Sequence, residues 1–233
     1  MNKLVFIMDS VRFDVAEEAY PGGLGDLHHM RGQATCTFPT ATNMIFNNAF
    51  VGSQDTSHLR QNEKRGTHTF ILTDNPFMSD SSEPWCWARK HCFYTYYQKH
   101  DINTDEMLSD TVGIAKGYSN FEIYVWLMDT HSPYYIDREP CTLYFNVRDR
   151  LKRMNKGQDK VEQETLTSLR QRQVDCTRHL FHRIQNALKE IPPGVDYVIL
   201  SDHGEQFGEE GKFGHGNSDY KGLLDLFKIE GRT

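Results

Sequence analysis

Residues 195–216 read VDYVILSDHGEQFGEEGKFGHG: an apolar stretch runs straight into Asp202 and His203, then through glycines and carboxylates to His215. An apolar run bounded by polar residues suits a strand buried on both faces of a parallel sheet, where crossover helices leave neither face to water. The pattern recurs in KLVFIMD (3–9), THTFILTDN (67–75) and FEIYVWLMD (121–129), whose ends carry Asp9, Asp74 and Asp129. Ligands of doubly wound sheets sit beyond the carboxyl ends of the strands, so acids recurring there predict one shared crevice. The expected fold is therefore α/β, with a mostly parallel central sheet and helices on both faces.

Two helices are predicted between the strands. TATNMIFNNAFVG (40–52) closes on Gly52, and ETLTSLRQRQVDCTRHLFHRIQNALKEIPPG (164–194) carries Leu166, Leu169, Val174, Leu180, Ile184 and Leu188 at roughly helical spacing before Pro192 and Pro193 stop it. The second has the length of a crossover helix feeding a parallel strand. Residues 76–120 and 132–163 read as irregular and aromatic-rich, and the stretch 76–120 is expected to form an insertion or lid over the strand ends. No repeat or linker divides the chain, so residues 1–233 are expected to form a single domain.

Composition narrows the function classes. Aromatic residues make up 12% of the chain, enough ring area to argue for a packed core over disorder. A formal charge of -6 gives no electrostatic reason to bind nucleic acid, and the basic stretch VRDRLKRMNKGQDK (147–160) reads as a solvated helix or loop. The opening MNKLVFIMD has too short an apolar run for a signal peptide, and no run reaches the length of a membrane span, so a cytoplasmic location is expected. Cys36, Cys86, Cys92, Cys141 and Cys176 lack CxxC spacing, which points to reduced thiols.

Asp9, Asp202 and His203 mix carboxylate and imidazole at strand ends, a set that suits a divalent cation and shifts preference from calcium towards zinc, manganese or iron. Read alone, Asp202-His203 is a weak signal and better suits a capped helix start with a surface histidine. MDTHSPYY (128–135) adds Asp129 and His131, which share a side if the chain stays extended; a turn closed by an Asx bond is the alternative. His215 lies between glycines, where backbone can approach a ligand closely and Phe213 can anchor the loop. ATCTFPTATNMIFNN (34–48) sets hydroxyls before a helix, whose N-terminus favours an anion, although Thr37 or Thr40 would serve there as a plain cap.

In order along the chain, MDSVRFD, TFPT, MDTHSPY and SDHGEQFGEEGKFGHG resemble the sulfatase branch of the alkaline phosphatase superfamily. The resemblance spans residues 3 to about 220. It implies Asp9, Asp202 and His203 as metal ligands, with Thr37 as a nucleophile that also touches the metal. His131 and His215 would hold the oxyanion or leaving group, or bind a second ion with Asp129, so one or two divalent ions are implied. Sulfatases carry a modified cysteine two residues before the proline. Here that position is Thr37, Cys36 lies one place early, and Ala41 stands in place of the motif's arginine.

Threonine there is similar to the phosphodiesterase and phosphotransferase members, so the resemblance implies hydrolysis or transfer at phosphate, phosphonate or phosphodiester bonds of a small or larger substrate. A sulfatase acting without formylglycine and a non-catalytic binding module are the alternatives. The resemblance further implies a core lacking the usual C-terminal subdomain, its pocket completed by residues 76–120 or by a second subunit of a homo-oligomer, or left open. Glu205, Glu209 and Glu210 are read as capping or solvating the glycine-rich loop, and Arg12 with Asp14 as a brace for the first loop.

Overall fold

A computed structural model describes residues 2–20, 27–31, 63–75, 92–97, 102–215 and 225–233. In chain order the elements are β1 (Lys3–Met8), α1 (Phe13–Ala19), β2 (Leu27–Arg31), β3 (His68–Thr73), β4 (Phe93–Tyr96), α2 (Thr104–Gly117) and β5 (Phe121–Leu127). There follow β6 (Tyr135–Ile136), β7 (Glu139–Pro140), α3 (Thr142–Asn155), α4 (Gln163–Glu190), β8 (Asp196–Ser201), β9 (Gln206–Phe207), β10 (Phe213–Gly214) and β11 (Asp225–Arg232).

Seven strands make one sheet in the order β2-β11-β8-β1-β5-β3-β4. The four apolar runs are its parallel centre: β1 pairs with β5 and β8, and β3 pairs with β5. β11 runs antiparallel to both β8 and β2, a return strand that the apolar pattern did not disclose.

Alternate residues of the central strands enter two separate cores, as a pleated strand buried on both sides requires. Leu4, Phe6 and Met8 join Ile123, Val125, Ile199 and Phe227 against α1, α2 and α4. Val5, Ile7, Ile71, Tyr124, Trp126, Val198 and Leu200 form the opposite face. Among the described residues, the helices on the sheet therefore pack on one face. The helix expected at 40–52 lies outside the described residues.

α4 matches its expected extent within a few residues and buries Leu166, Leu169, Val174, Leu180 and Ile184. The irregular reading of 76–120 is corrected where it is described. Phe93–Tyr96 is a parallel edge strand on β3, and Thr104–Gly117 is a helix burying Met107, Leu108, Thr111, Val112 and Ala115. Those positions recur one helical turn apart, a period hidden by the neighbouring aromatic tract. The reading of 132–163 is corrected likewise, because Thr142–Asn155 is helical and buries Leu151 and Met154. No described helix is long and apolar enough to cross a membrane.

Candidate metal centre

Because β1 lies between β5 and β8, the chain leaving β1 meets the chain leaving β8. The Ser10 amide donates to Asp202 Oδ1 at 2.9 Å across 192 residues of sequence, and the Val11 amide donates to Ser201 Oγ at 2.9 Å. Ser10 takes up a left-handed φ of 70° to turn the backbone there. Gln173 of α4 ties the crossing together by donating to the carbonyls of Ser10 and Thr130 at 2.9 and 3.1 Å.

Asp9, Asp202 and His203 are all buried, and one ligand atom from each lies within 4.8 Å of the others. His203 Nε2 stands 3.5 Å from Asp9 Oδ1 and 3.6 Å from Asp202 Oδ2, and this buried nitrogen has no hydrogen-bond partner. Those distances exceed an N–H···O hydrogen bond. They match the edge of a tetrahedron whose centre-to-ligand bonds are about 2.1 Å, an edge of about 3.4 Å, as at zinc. His203 Nδ1 faces the Gly204 carbonyl at 3.1 Å, which can only accept, so the ring proton sits on Nδ1 and the Nε2 lone pair points at the two carboxylates. The donor set thus fits a divalent cation.

The surrounding groups fix both carboxylates. Asp9 Oδ1 accepts from the Ser10 hydroxyl at 2.7 Å, and its Oδ2 accepts from Trp126 Nε1 at 3.1 Å and Asn75 Nδ2 at 3.3 Å. Asp202 Oδ1 accepts from the Ser10 and His203 amides, and its Oδ2 lies 3.6 Å from His203 Nε2. Burial opposes ionisation of Asp9, but His131, His203, the Ser10 hydroxyl and His215 outweigh it and hold its carboxyl below the usual range.

A second group adjoins the first. His131, Glu205 and His215 also place ligand atoms within 4.8 Å of one another, and the His215 ring lies 4.2 Å from that of His203 and 5.2 Å from that of His131. Glu205 is fully buried; its Oε2 accepts from the Tyr134 hydroxyl and its Oε1 lies 3.3 Å from His215 Nδ1. Burial pushes the Glu205 carboxyl up, but His215, His131 and Tyr134 prevail and lower it. Glu205, read as capping or solvating the glycine-rich loop, is instead buried between Tyr134 and His215. The available signal was its place three residues past Asp202, on the same chain segment as the metal-competent pair.

Asp129 belongs to neither group. Its carboxylate takes Arg183 Nη1 at 3.0 Å and the Thr104 hydroxyl, on α4 and α2. The expectation that Asp129 and His131 share a side assumed extended chain, whereas the backbone turns there: the His131 amide bonds Met128 O and the Tyr134 amide bonds His131 O. Burial raises the Asp129 carboxyl despite Thr104 and Arg183. Thr37 and the rest of 34–48 lie outside the described residues.

The Arg12–Asp14 brace takes the expected form, with Nε and Nη2 of Arg12 at 2.8 and 2.7 Å from the Asp14 carboxylate. Nη1 reaches Glu209 at 2.5 Å, which clamps the glycine-rich turn to the loop after β1. The Arg12 stem lies so close over Gly204 that a Cβ added there would meet Arg12 Cγ at 2.2 Å. Gly204→Ala is therefore expected to cost about 1–3 kcal/mol through overpacking, a fall of very roughly 2–12 °C in melting temperature for a chain of this size. An unchanged melt would show that the Arg12 stem is free to move aside. At the other end of the turn, Gly214 has a φ of 79°, and Phe213 is pinned by Asn155, whose side chain bonds its backbone N and O at 2.7 and 2.9 Å.

No protein-family model and no curated protein matches the sequence. Solved structures match through fold. The C-terminal periplasmic domain of EcEptC from Escherichia coli, in complex with Zn, superposes with a TM-score of 0.66 at 14% identity, over 100% of this chain and 73% of that one. The C-terminal periplasmic domain of phosphoethanolamine transferase EptC from Campylobacter jejuni gives 0.61 at 14% identity, over 99% and 78%. BT1596, a 2-O GAG sulfatase, gives 0.66 at 10% identity, over 98% of this chain and 63% of that one. The likeness is one of fold: the chain shares the α/β fold of these domains and that of a protein in the alkaline phosphatase superfamily from Vibrio parahaemolyticus, with a TM-score of 0.59 at 12% identity over 100% of this chain and 60% of that one.

Proposed function

We propose that this protein is a metal-dependent phosphoester hydrolase or phosphotransferase that uses Thr37 as its nucleophile. The observation that carries the reading is the buried Asp9–Asp202–His203 set with its unpartnered Nε2. Likeness in fold to a phosphoethanolamine transferase domain and to a domain crystallised with Zn supports the same chemistry and favours zinc, with manganese the other candidate. Asp9, Asp202 and His203 would hold the ion, together with Thr37. When bound, a divalent ion neutralises phosphoryl charge and eases ionisation of an alcohol.

The chain's own groups account for the rest. The Thr37 hydroxyl attacks phosphorus and expels the leaving alcohol, giving a phosphothreonine that water or an acceptor alcohol resolves. His131 Nδ1 faces the Ser132 carbonyl at 2.7 Å and His215 Nδ1 faces Glu205, so both rings keep Nε2 for a phosphoryl oxygen or for the leaving group's proton. Glu205, steadied by Tyr134, orients His215. His131, Glu205 and His215 form a candidate seat for a second ion, with Glu205 in the place expected for Asp129. The cytoplasmic location stands as an expectation of the sequence alone, beside fold neighbours that are periplasmic domains.

The test is turnover of bis-p-nitrophenyl phosphate and p-nitrophenyl sulfate by chelated protein, with and without added zinc or manganese. Several kcal/mol of charge stabilisation by the ion correspond to an increase of about a hundredfold or more in phosphodiester turnover. Metal-independent turnover would overturn the reading, and faster sulfate-ester cleavage would replace it with a sulfatase that dispenses with formylglycine.

A further inference from the structure

The basic stretch after the His131 loop forms most of α3 (Thr142–Asn155) and its exit, and residues 142–160 carry six basic side chains against two acidic ones in a chain of formal charge -6. Two of the cations are spoken for: Arg150 pairs with Glu162 at 2.9 Å and Arg153 with Asp159 at 2.8 Å. Arg148, Lys152 and Lys156 are exposed and have no carboxylate partner among the described residues. At about 100° per residue these three and Phe145 fall within an arc of about 80°, a stripe about 17 Å long. Phe145, at the head of the stripe, is 50% exposed.

The opposite face of α3, carrying Leu143, Val147 and Met154, packs into the cluster that holds Tyr134, Phe207 and Phe213 beside the candidate centre, and Tyr144 and Asn155 flank the stripe. Tyr144 packs near Tyr134 and Phe213 with ring centroids 6.3 and 6.2 Å apart, and Asn155 holds the backbone of Phe213, two residues before His215. The stripe is thus the outer side of an element that forms the rim of the site.

We propose that this face of α3 docks the protein on an anionic phospholipid bilayer. Cations in one line gain from a negatively charged headgroup layer, and a ring at the end of the line gains from entering its apolar boundary. A nucleic-acid backbone would reward the cations and leave Phe145 in water. The negative charge of the remaining chain repels it from such a surface, so α3 also sets the orientation in which the site meets the bilayer. Docking does not depend on the chemistry proposed above.

The experiment is flotation of the full chain with vesicles of phosphatidylcholine alone and of phosphatidylcholine with phosphatidylglycerol, at low and high salt. Binding is expected only with the anionic lipid, weakening as salt rises. A cation near such a surface contributes about fivefold in affinity, so the triple variant Arg148→Gln/Lys152→Gln/Lys156→Gln should lose about a hundredfold. Phe145→Ala should lose about fivefold. Turnover of a soluble diester by these variants should be unchanged, which separates failure of docking from failure of the proposed activity. Lys152→Glu, a single change at an exposed position, gives a second reading should the triple variant fold poorly. Equal binding to neutral and anionic vesicles, no loss on reversing Lys152, or preference for a duplex DNA competitor over the vesicles would each overturn the proposal.

Discussion

Thr37→Ala is expected to abolish phosphodiester turnover, a loss on the order of a thousandfold or more, because alanine offers no oxygen to attack phosphorus. Thr37→Ser keeps the hydroxyl and should keep a measurable share of the rate. Three of the four proposed ligands remain in the alanine variant, so metal binding should persist through Asp9, Asp202 and His203. Trapping with a slowly resolved diester, followed by peptide mass spectrometry, should place the added phosphate on the peptide that contains Thr37. A Thr37→Ala rate within tenfold of the parent would remove this residue from the mechanism and leave the metal set to be explained separately.

The second large effect concerns the metal ligands and reverses sign with the ion. In chelated protein, Asp9 and Asp202 bring two carboxylates into one buried space beside an imidazole. Asp202→Asn removes one of those charges while its Oδ1 can still accept from the Ser10 and His203 amides, so the chelated variant should be at least as stable as chelated parent. With zinc present the order inverts. An ion at about a thousand times its dissociation constant stabilises the parent by about 4 kcal/mol, or about 8–16 °C in melting temperature. The variant should gain little of this, and His203→Ala should likewise lose the shift. Equal metal-induced shifts in parent and variants would mean that the ion binds elsewhere.

The sequence was informative wherever local pattern suffices. Four apolar runs gave the parallel centre of the sheet, since a strand covered on both faces must be apolar throughout. The leucine spacing after residue 163 and the prolines after 191 gave α4. Motif order along the chain pointed to the alkaline phosphatase-like fold. α2 was missed because the neighbouring aromatic tract hid its helical period, α3 because it buries only Leu151 and Met154, and β11 because an antiparallel strand beside a parallel sheet has no distinctive apolar run.

Asp9 and His203 share no local pattern, and nothing in either segment states the other's neighbour; the order β8-β1-β5 puts them 3.5 Å apart. Strand order is set by where crossovers land and how whole faces pack, so it is a property of the assembled sheet. The separation of Asp129 from His131 and the pairing of Glu205 with His215 have the same origin at smaller scale. A turn after Met128 delivers Asp129 to Arg183 and Thr104, while the fold of the glycine-rich loop brings Glu205 against His215. Residue types and strand ends were thus fixed by the chain itself, and the membership of the site was decided by which backbone turns the packed core enforces.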